Sequence, residues 1–467
     1  MNTLYRPDLL YSNGQFISNA GLSVGESGEI VGITPNVDTS GVQTIDLPGK
    51  ALLPGFVNAH SHSFQRLIRG KSESRVTSGS DFWSWRGTMY YAANQLDPQD
   101  LYDVARMAFL EMILAGTTTV GEFHYLHNAP DGSQYEDPNL LSKQVIAAAQ
   151  SVGLRIVLLR TAYLRSGFEL PRDPGQRRFL ESASTFIDRM DALMRDYPCS
   201  QHVHFGIAPH SIRAVPLGDL KEIAAWRATA GLPLHMHVSE QLAENEACVR
   251  EYGLTPVELL RKEGILSSGF TAVHAIHISA SEIEMLAEAK STICACPTTE
   301  RNLGDGIFPA DRVMEAGIPV ALGSDSQALI DPPEDARELE YHLRLQIEKR
   351  AILDQVHGRP LAASLFDCAT TYGARSLGVS CGKLTVGNVA DFFTIDLSDP
   401  SLAGNSAEDL LPILVFSLNR SAIRDVVVGG KMVLRDRRHP LREEIVARYN
   451  EVYQKTWANS RRNTTGR

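Results

Sequence analysis

Cysteine is scarce in this chain: six in 467 residues, scattered as Cys199, Cys248, Cys294, Cys296, Cys368 and Cys381. That is too few and too dispersed for a disulfide framework, so a reducing compartment, the cytoplasm, is expected. Cys294-Ala295-Cys296 has the look of half a metal site, but it lies inside an apolar run and reads as small buried thiols in a strand. An excess of basic charge is missing as well. Lys and Arg number 45 against 55 Asp and Glu, a formal net charge of −10. This excludes a nucleic acid or an anionic membrane as partner, either of which calls for a basic surface. Any anionic substrate must then be held by individually placed arginines. No apolar run approaches the roughly 20 residues of a membrane span. The first eight residues lack the basic start and apolar stretch of a secretion signal. The sequon Asn463-Thr464-Thr465 falls in a polar tail that reads as frayed, not as a modification site.

What is present is length and pattern. A chain of 467 residues is too long for one small core, which predicts two to three domains. Its first fifty residues are short alternating segments broken by Gly, Asn and Pro, such as Glu29-Ile30-Val31-Gly32-Ile33, and read as small antiparallel strands. The same texture returns in Asp391-Phe392-Phe393-Thr394-Ile395 and around Val426-Val427-Val428. The pattern permits the two ends to pair into one small β-sandwich. Between them, short buried strands alternate with helical stretches such as 98–115 and 279–290, the mark of repeated βα units. Strands are expected before His60 and at 117–120, 155–159, 203–207, 234–238, 271–274, 291–296 and 319–322. Eight such strands suit an α/β fold, a (β/α)8 TIM-type barrel. The expected division is 1–56 and 381–440 for the sandwich, 57–380 for the barrel, and 441–467 for a C-terminal helix and tail.

Polar residues gather at the C-terminal ends of these strands, where barrel enzymes keep their chemistry. His60 and His62 end the first strand, and side chains two apart on an extended strand share a face. Histidines also end the fourth, fifth and sixth strands as His210, His237 and His274, and Asp325 ends the eighth. The economical metal set is His60, His62, His237 and Asp325, because three imidazoles and a carboxylate leave room for one water, as hydrolytic zinc sites require. A binuclear site would want a bridging lysine on the fourth strand. No Lys occurs between Gln201 and Pro216, so one divalent metal, zinc, is expected.

Several stretches carry a resemblance: His60-Ser-His-Ser-Phe-Gln-Arg66, Asp81-Phe-Trp-Ser-Trp-Arg86, Glu122-Phe-His-Tyr-Leu-His127, His210-Ser-Ile-Arg213, Glu240-Gln241 and Pro297-Thr-Thr-Glu-Arg-Asn-Leu-Gly-Asp-Gly-Ile-Phe-Pro309. They run collinearly through most of residues 50–330, and the chain resembles the amidohydrolase superfamily in its mononuclear deaminase branch. More narrowly it is similar to the formimidoylglutamate deiminases. The resemblance implies that Glu240 and His274 do proton work beside Asp325, and that Gln65, Arg86, Tyr125, His210 and Arg213 grip the glutamate portion of N-formimino-L-glutamate. Hydrolysis would give N-formyl-L-glutamate and ammonia, a step of histidine degradation. A small molecule bearing carboxylates is therefore the expected partner, and a homodimer is common among such barrels. Trp83 and Trp85 are candidates to wall the pocket. Gln327 departs from the family, which commonly has His there, and its nearness to Asp325 suggests an effect on the water or on the substrate's near end. Two other readings compete. A related aminohydrolase acting on a purine, pterin or other ring amidine would have no need of two arginine clamps. A non-catalytic metal-binding protein would lack the acid and base residues that are present here.

Overall fold

Eight consecutive parallel strands separated by helices form the centre of the chain, between two groups of strands at its ends. The computed structural model describes residues 2–35, 42–71, 73, 82–198, 200–404 and 406–464. Cys199, Asp81 and Thr465 fall outside them, as does the side chain of Trp83. The first strands are β1 (Thr3–Ser12), β2 (Gln15–Ser18), β3 (Ala20–Val24), β4 (Ile30–Pro35) and β5 (Gln43–Pro54). The barrel follows with β6 (Phe56–Ser61), β7 (Thr117–His124), β8 (Arg155–Ala162), β9 (Val203–Pro209), β10 (Leu234–Val238), β11 (Phe270–His274), β12 (Thr292–Ala295) and β13 (Val320–Leu322). The last strands are β14 (Phe392–Asp396), β15 (Ile423–Val428) and β16 (Lys431–Leu434).

Strands β6 to β13 pair in sequence order, each parallel to the next. Most are buried along their whole length, as helices on the outside and packed side chains within demand of a parallel sheet. The barrel closes where β13 returns to β6. His62 N donates to Asp325 O and Asp325 N to His60 O, both at 3.0 Å, so the seam is stitched by three of the candidate ligands' own backbones. Gly323 makes that approach possible: a Cβ there would stand 2.6 Å from the His60 Cβ. Two strands run further than their apolar cores indicate, β7 to His124 and β8 to Ala162.

The chain ends do pair. β14 runs antiparallel to β5, with Phe392 opposite Pro54 and Asp396 opposite Lys50. The resulting eight-stranded sheet is mixed, not wholly antiparallel, because β1 and β5 are parallel from Thr3↔Gln43 onward. β5 begins opposite the start of β1 and runs alongside it in the same direction. The sheet has its own small core of Tyr5, Leu10, Leu22, Ile30, Leu52, Phe392 and Val427. A buried ion pair ties it to the barrel: Arg155, opening β8, reaches both Asp391 oxygens at 3.1 and 3.0 Å. The last helix, Arg442–Thr464, is tied to the helix Pro98–Leu114 by Arg106, which grips both oxygens of Glu444 at 2.7 and 2.8 Å. The five described cysteines are free and buried. No helix among the described residues is long and apolar enough to cross a membrane.

Candidate active site

His60 and His62 leave the end of β6 and meet His237 from β10 and Asp325 just past β13. One ligand atom from each of the four lies within 4.8 Å of every other. His62 Nδ1 donates to Phe123 O at 2.8 Å and His237 Nδ1 to His210 O at 3.0 Å, which leaves both Nε2 lone pairs for the centre. His60 is fully buried, and neither of its ring nitrogens has a hydrogen-bond partner among the described residues. Such orphaned polar atoms are costly unless something binds them. Burial drives His60 down to about 3 and lowers His62 and His237 too, so all three stay neutral, the ligand form. Burial alone would raise the Asp325 carboxyl, but His60, His62 and His274 outweigh it and hold the group far below its usual range. Three neutral imidazoles and an ionised carboxylate fit a divalent metal.

His274 and Glu240 border the same centre. His274 Nε2 lies 3.8 Å from Glu240 Oε1 and 3.9 Å from Asp325 Oδ2, while Nδ1 sits 3.2 Å from Glu300 Oε1. Burial opposes its charge, yet Glu240, Glu300 and Asp325 together raise it well above the ordinary imidazole value. Burial raises Glu240, against the pull of His274. A carboxyl whose burial favours the protonated form, set beside an imidazole, suits the role of proton donor. The backbone here is held in the left-handed region at Ser239 (φ +52°), His274 (+70°), Ala275 (+51°), Asp325 (+45°) and Gln327 (+62°). Each such non-glycine residue costs on the order of 1 kcal/mol, and their clustering at three strand ends marks a site the rest of the fold constrains.

Gln65, Arg86, Tyr125, His210 and Arg213 all line the pocket above this centre, together with Trp85. Gln65 Nε2 donates to the Tyr125 hydroxyl at 2.7 Å, and the Gln65 Oε1 is buried without a partner among the described residues. His210 is kept neutral by burial first and Arg213 second. Sequence reading missed Tyr90, Tyr163 and Gln176. Gln176 donates to the Tyr90 hydroxyl at 2.5 Å and to Tyr163 at 3.0 Å, and Arg86 reaches the same two hydroxyls, Tyr163 at 3.3 Å. Two signals were available. Tyr163 lies directly past the end of β8, and Tyr90 is four residues from Arg86 on one helix face.

Gln327 does not touch the pocket. Its side chain is fully buried behind the candidate ligands, where Nε2 donates to Ser61 Oγ at 2.8 Å and Oε1 accepts from Ser324 Oγ at 2.9 Å. Ser61 Oγ in turn donates to Glu122 Oε2 at 2.6 Å, and Glu122 Oε1 takes the Ser63 N–H and hydroxyl at 2.7 and 2.6 Å. The expected influence on the substrate is therefore replaced by a clamp on the His-Ser-His segment. Gln327→Ala should cost about 1–3 kcal/mol in urea unfolding by removing one buried hydrogen bond from each of two hydroxyls. It should weaken zinc affinity ~10-fold or more while moving KM less than about twofold, as read by titration against a chelating indicator.

The Amidohydrolase family pattern matches residues 51–433. A formimidoylglutamate deiminase of Pseudomonas aeruginosa is 33% identical over 97% of this chain and 99% of its own length. A 5-methylthioadenosine/S-adenosylhomocysteine deaminase of Natronomonas pharaonis is 27% identical over 89% of this chain and 88% of its own. Among solved structures, an amidohydrolase from Brucella melitensis superposes with a TM-score of 0.87 at 30% identity, covering 97% and 99% of the two chains. An adenosine deaminase from Xanthomonas campestris with bound zinc shares the fold at 22% identity and a TM-score of 0.83, covering 98% of each chain. The barrel, its mixed terminal sheet and the match across both together establish that the chain belongs to the amidohydrolase family, hydrolases of C–N bonds.

Proposed function

We propose that the chain hydrolyses N-formimino-L-glutamate to N-formyl-L-glutamate and ammonia, a deimination in histidine degradation. One observation carries this reading. Arg213 sits in the pocket beside Arg86, is held firmly charged, and has an Nη1 that is buried with no hydrogen-bond partner among the described residues. A buried charged donor without an acceptor costs about 1–3 kcal/mol or more, and a substrate carboxylate removes that cost with a planar, two-point contact. Two arginines match the two carboxylates of glutamate. The similarity to the Pseudomonas aeruginosa deiminase points the same way.

His60, His62, His237 and Asp325 would hold one divalent metal, zinc by the chemistry of the donors. When bound, that metal supplies a Lewis acid that brings a water's pKa toward neutrality. The chain's own groups do the rest. Asp325 takes the proton of the attacking water, and charged His274 stabilises negative charge as the water oxygen bonds to the formimidoyl carbon. Glu240, three residues past His237, gives its proton to the departing nitrogen as the C–N bond breaks. Arg86 and Arg213 fix the glutamate, so that attack follows binding without further search.

A substrate panel with Arg213→Ala tests this. For formiminoglutamate the substitution should lower kcat/KM ~30-fold, on the order of 2 kcal/mol for one lost charged contact. Turnover of a neutral purine or pterin amidine should be no better in the native protein. Metal-dependent ammonia release from a ring compound, with none from formiminoglutamate, would give the site to the ring aminohydrolases instead.

A further inference from the structure

A second chamber of about 240 Å³ adjoins the catalytic pocket at Glu240. Its walls are largely apolar and come from Phe168 and Leu170 on one side and Ala243 and Ala247 of the helix Leu242–Tyr252 on the other. The inner cavity above the His-Asp cluster is much tighter, about 40 Å³. His237, Glu240, Arg86 and Arg213 line both. Glu244 also faces the chamber. It is 8% exposed, accepts from Glu240 N at 3.3 Å through Oε2, and has an Oε1 buried without a hydrogen-bond partner among the described residues. Burial pushes its carboxyl up to about 7.

We infer that this chamber receives the leaving-group side of the substrate, and that the enzyme therefore also cleaves N′-alkyl formamidines of glutamate, releasing a primary alkylamine where the parent compound releases ammonia. The inference rests on the reading of the preceding subsection, because Glu240 is there the donor to the departing nitrogen. A substituent on that nitrogen points past Glu240, and beyond Glu240 lies apolar space, not a wall. The chemistry balances without any added reagent: R–NH–CH=N–R′ + H2O → R–NH–CHO + R′–NH2. The water oxygen bonds to carbon, the bond from carbon to the alkylated nitrogen breaks, and that nitrogen leaves with protons from Glu240 and from the water.

Charge in the chamber agrees once substrate is bound. Arg86 is turned to Tyr90 and Tyr163, Arg213 awaits a carboxylate, and Arg250 pairs at 3.9 Å with Glu246 in solvent. With the arginines answered by the glutamate carboxylates, Glu244 and Glu240, once Glu240 has given up its proton, are the carboxyl acceptors left facing the space, and a leaving amine can be received there. The unpartnered Glu244 oxygen is its natural acceptor.

The test uses the zinc-loaded protein with N′-methyl, N′-ethyl and N′-propyl derivatives of formiminoglutamate, following the released amine by chromatography. KM should fall by ~threefold per added methylene, as expected for burial of each CH2, with kcat/KM for the propyl compound at least ~one-tenth of that for the parent. Ala247→Phe fills the chamber from a partly buried helix position outside the catalytic groups. It should cut kcat/KM for the propyl compound ~30-fold and leave the parent within ~twofold. Ala243→Phe, at an exposed position of the same wall, is the second variant should the first lower the melting temperature. The chamber is overturned if the parent turns over while even the N′-methyl compound falls below ~one-hundredth of it, or if both Phe variants depress parent and propyl equally. If the parent itself is inert, the proposed substrate falls, and the same length series on whichever amidine is hydrolysed decides the chamber separately.

Discussion

Glu240→Gln should lower kcat by ~1,000-fold while KM shifts less than about threefold, the pattern of a group that acts only in the transition state. Glutamine keeps the shape and the hydrogen-bonding oxygen but carries no transferable proton. The surroundings argue that the proton is what matters. Ser239, in the left-handed region, aims Glu240 off the end of β10, and Gln241 is bound to the buried Asp305 on its other side. The carboxyl itself is raised by burial, with Asp325 and Glu300 adding to the effect and His274 and Arg213 opposing it. The sign of the pH dependence follows. An acid that must be protonated is competent below its pKa and is lost above it, so kcat should decline on the alkaline side. In Glu240→Gln that limb should be absent from the pH profile of the residual rate. Retention of more than ~one-tenth of the native kcat would move the proton donor elsewhere.

The ligand cluster was legible in the sequence because each member sits at the end of a strand whose apolar pattern is local. Counting strands placed His60, His62, His237 and Asp325 on one rim without any knowledge of distant contacts. Tyr163 escaped for a related reason. The apolar run of β8 reads as ending at Leu159, whereas the strand continues through Arg160, Thr161 and Ala162 because Arg160 finds Glu181 inside the fold. A buried charge looks like a loop until its partner is known. The contacts of Gln327 were illegible for the opposite reason: it stands two residues from Asp325, but its partner Ser61 is 266 residues away, and only the closed seam brings them together. The outer chamber is likewise illegible, since Phe168 and Leu170 meet Ala243 and Ala247 only through the barrel's geometry. Local pattern thus located the candidate site, while its outer walls and the clamp behind the candidate ligands depended on long-range closure.

Removing the metal should abolish turnover, by ~10,000-fold or more, and yet leave a folded protein. The two halves of this expectation have separate causes. Without the metal, water keeps its ordinary acidity, and Asp325 and Glu240 have nothing to act upon. The fold survives because His62 and His237 are oriented by Phe123 O and His210 O, and the seam is closed by backbone bonds between Asp325 and the His60–His62 segment. What is lost is the ligand for His60, whose ring nitrogens are then stranded. The melting temperature should therefore fall on chelation and recover with zinc, by an amount that grows with free zinc as the logarithm of its ratio to Kd, about 4 kcal/mol at ~1,000 Kd. The same burial makes binding cheap in protons. His60 titrates near 3 and Asp325 far below its usual range, so at neutral pH the site is already deprotonated and zinc displaces almost nothing. Calorimetry in buffers of different ionisation enthalpy should accordingly show less than about one proton released per zinc. A protein shown by elemental analysis to be metal-free and still fully active would remove the cluster from the reaction. Release of two or more protons would mean that the imidazoles are charged in the free site, and that burial does not hold them in the ligand form.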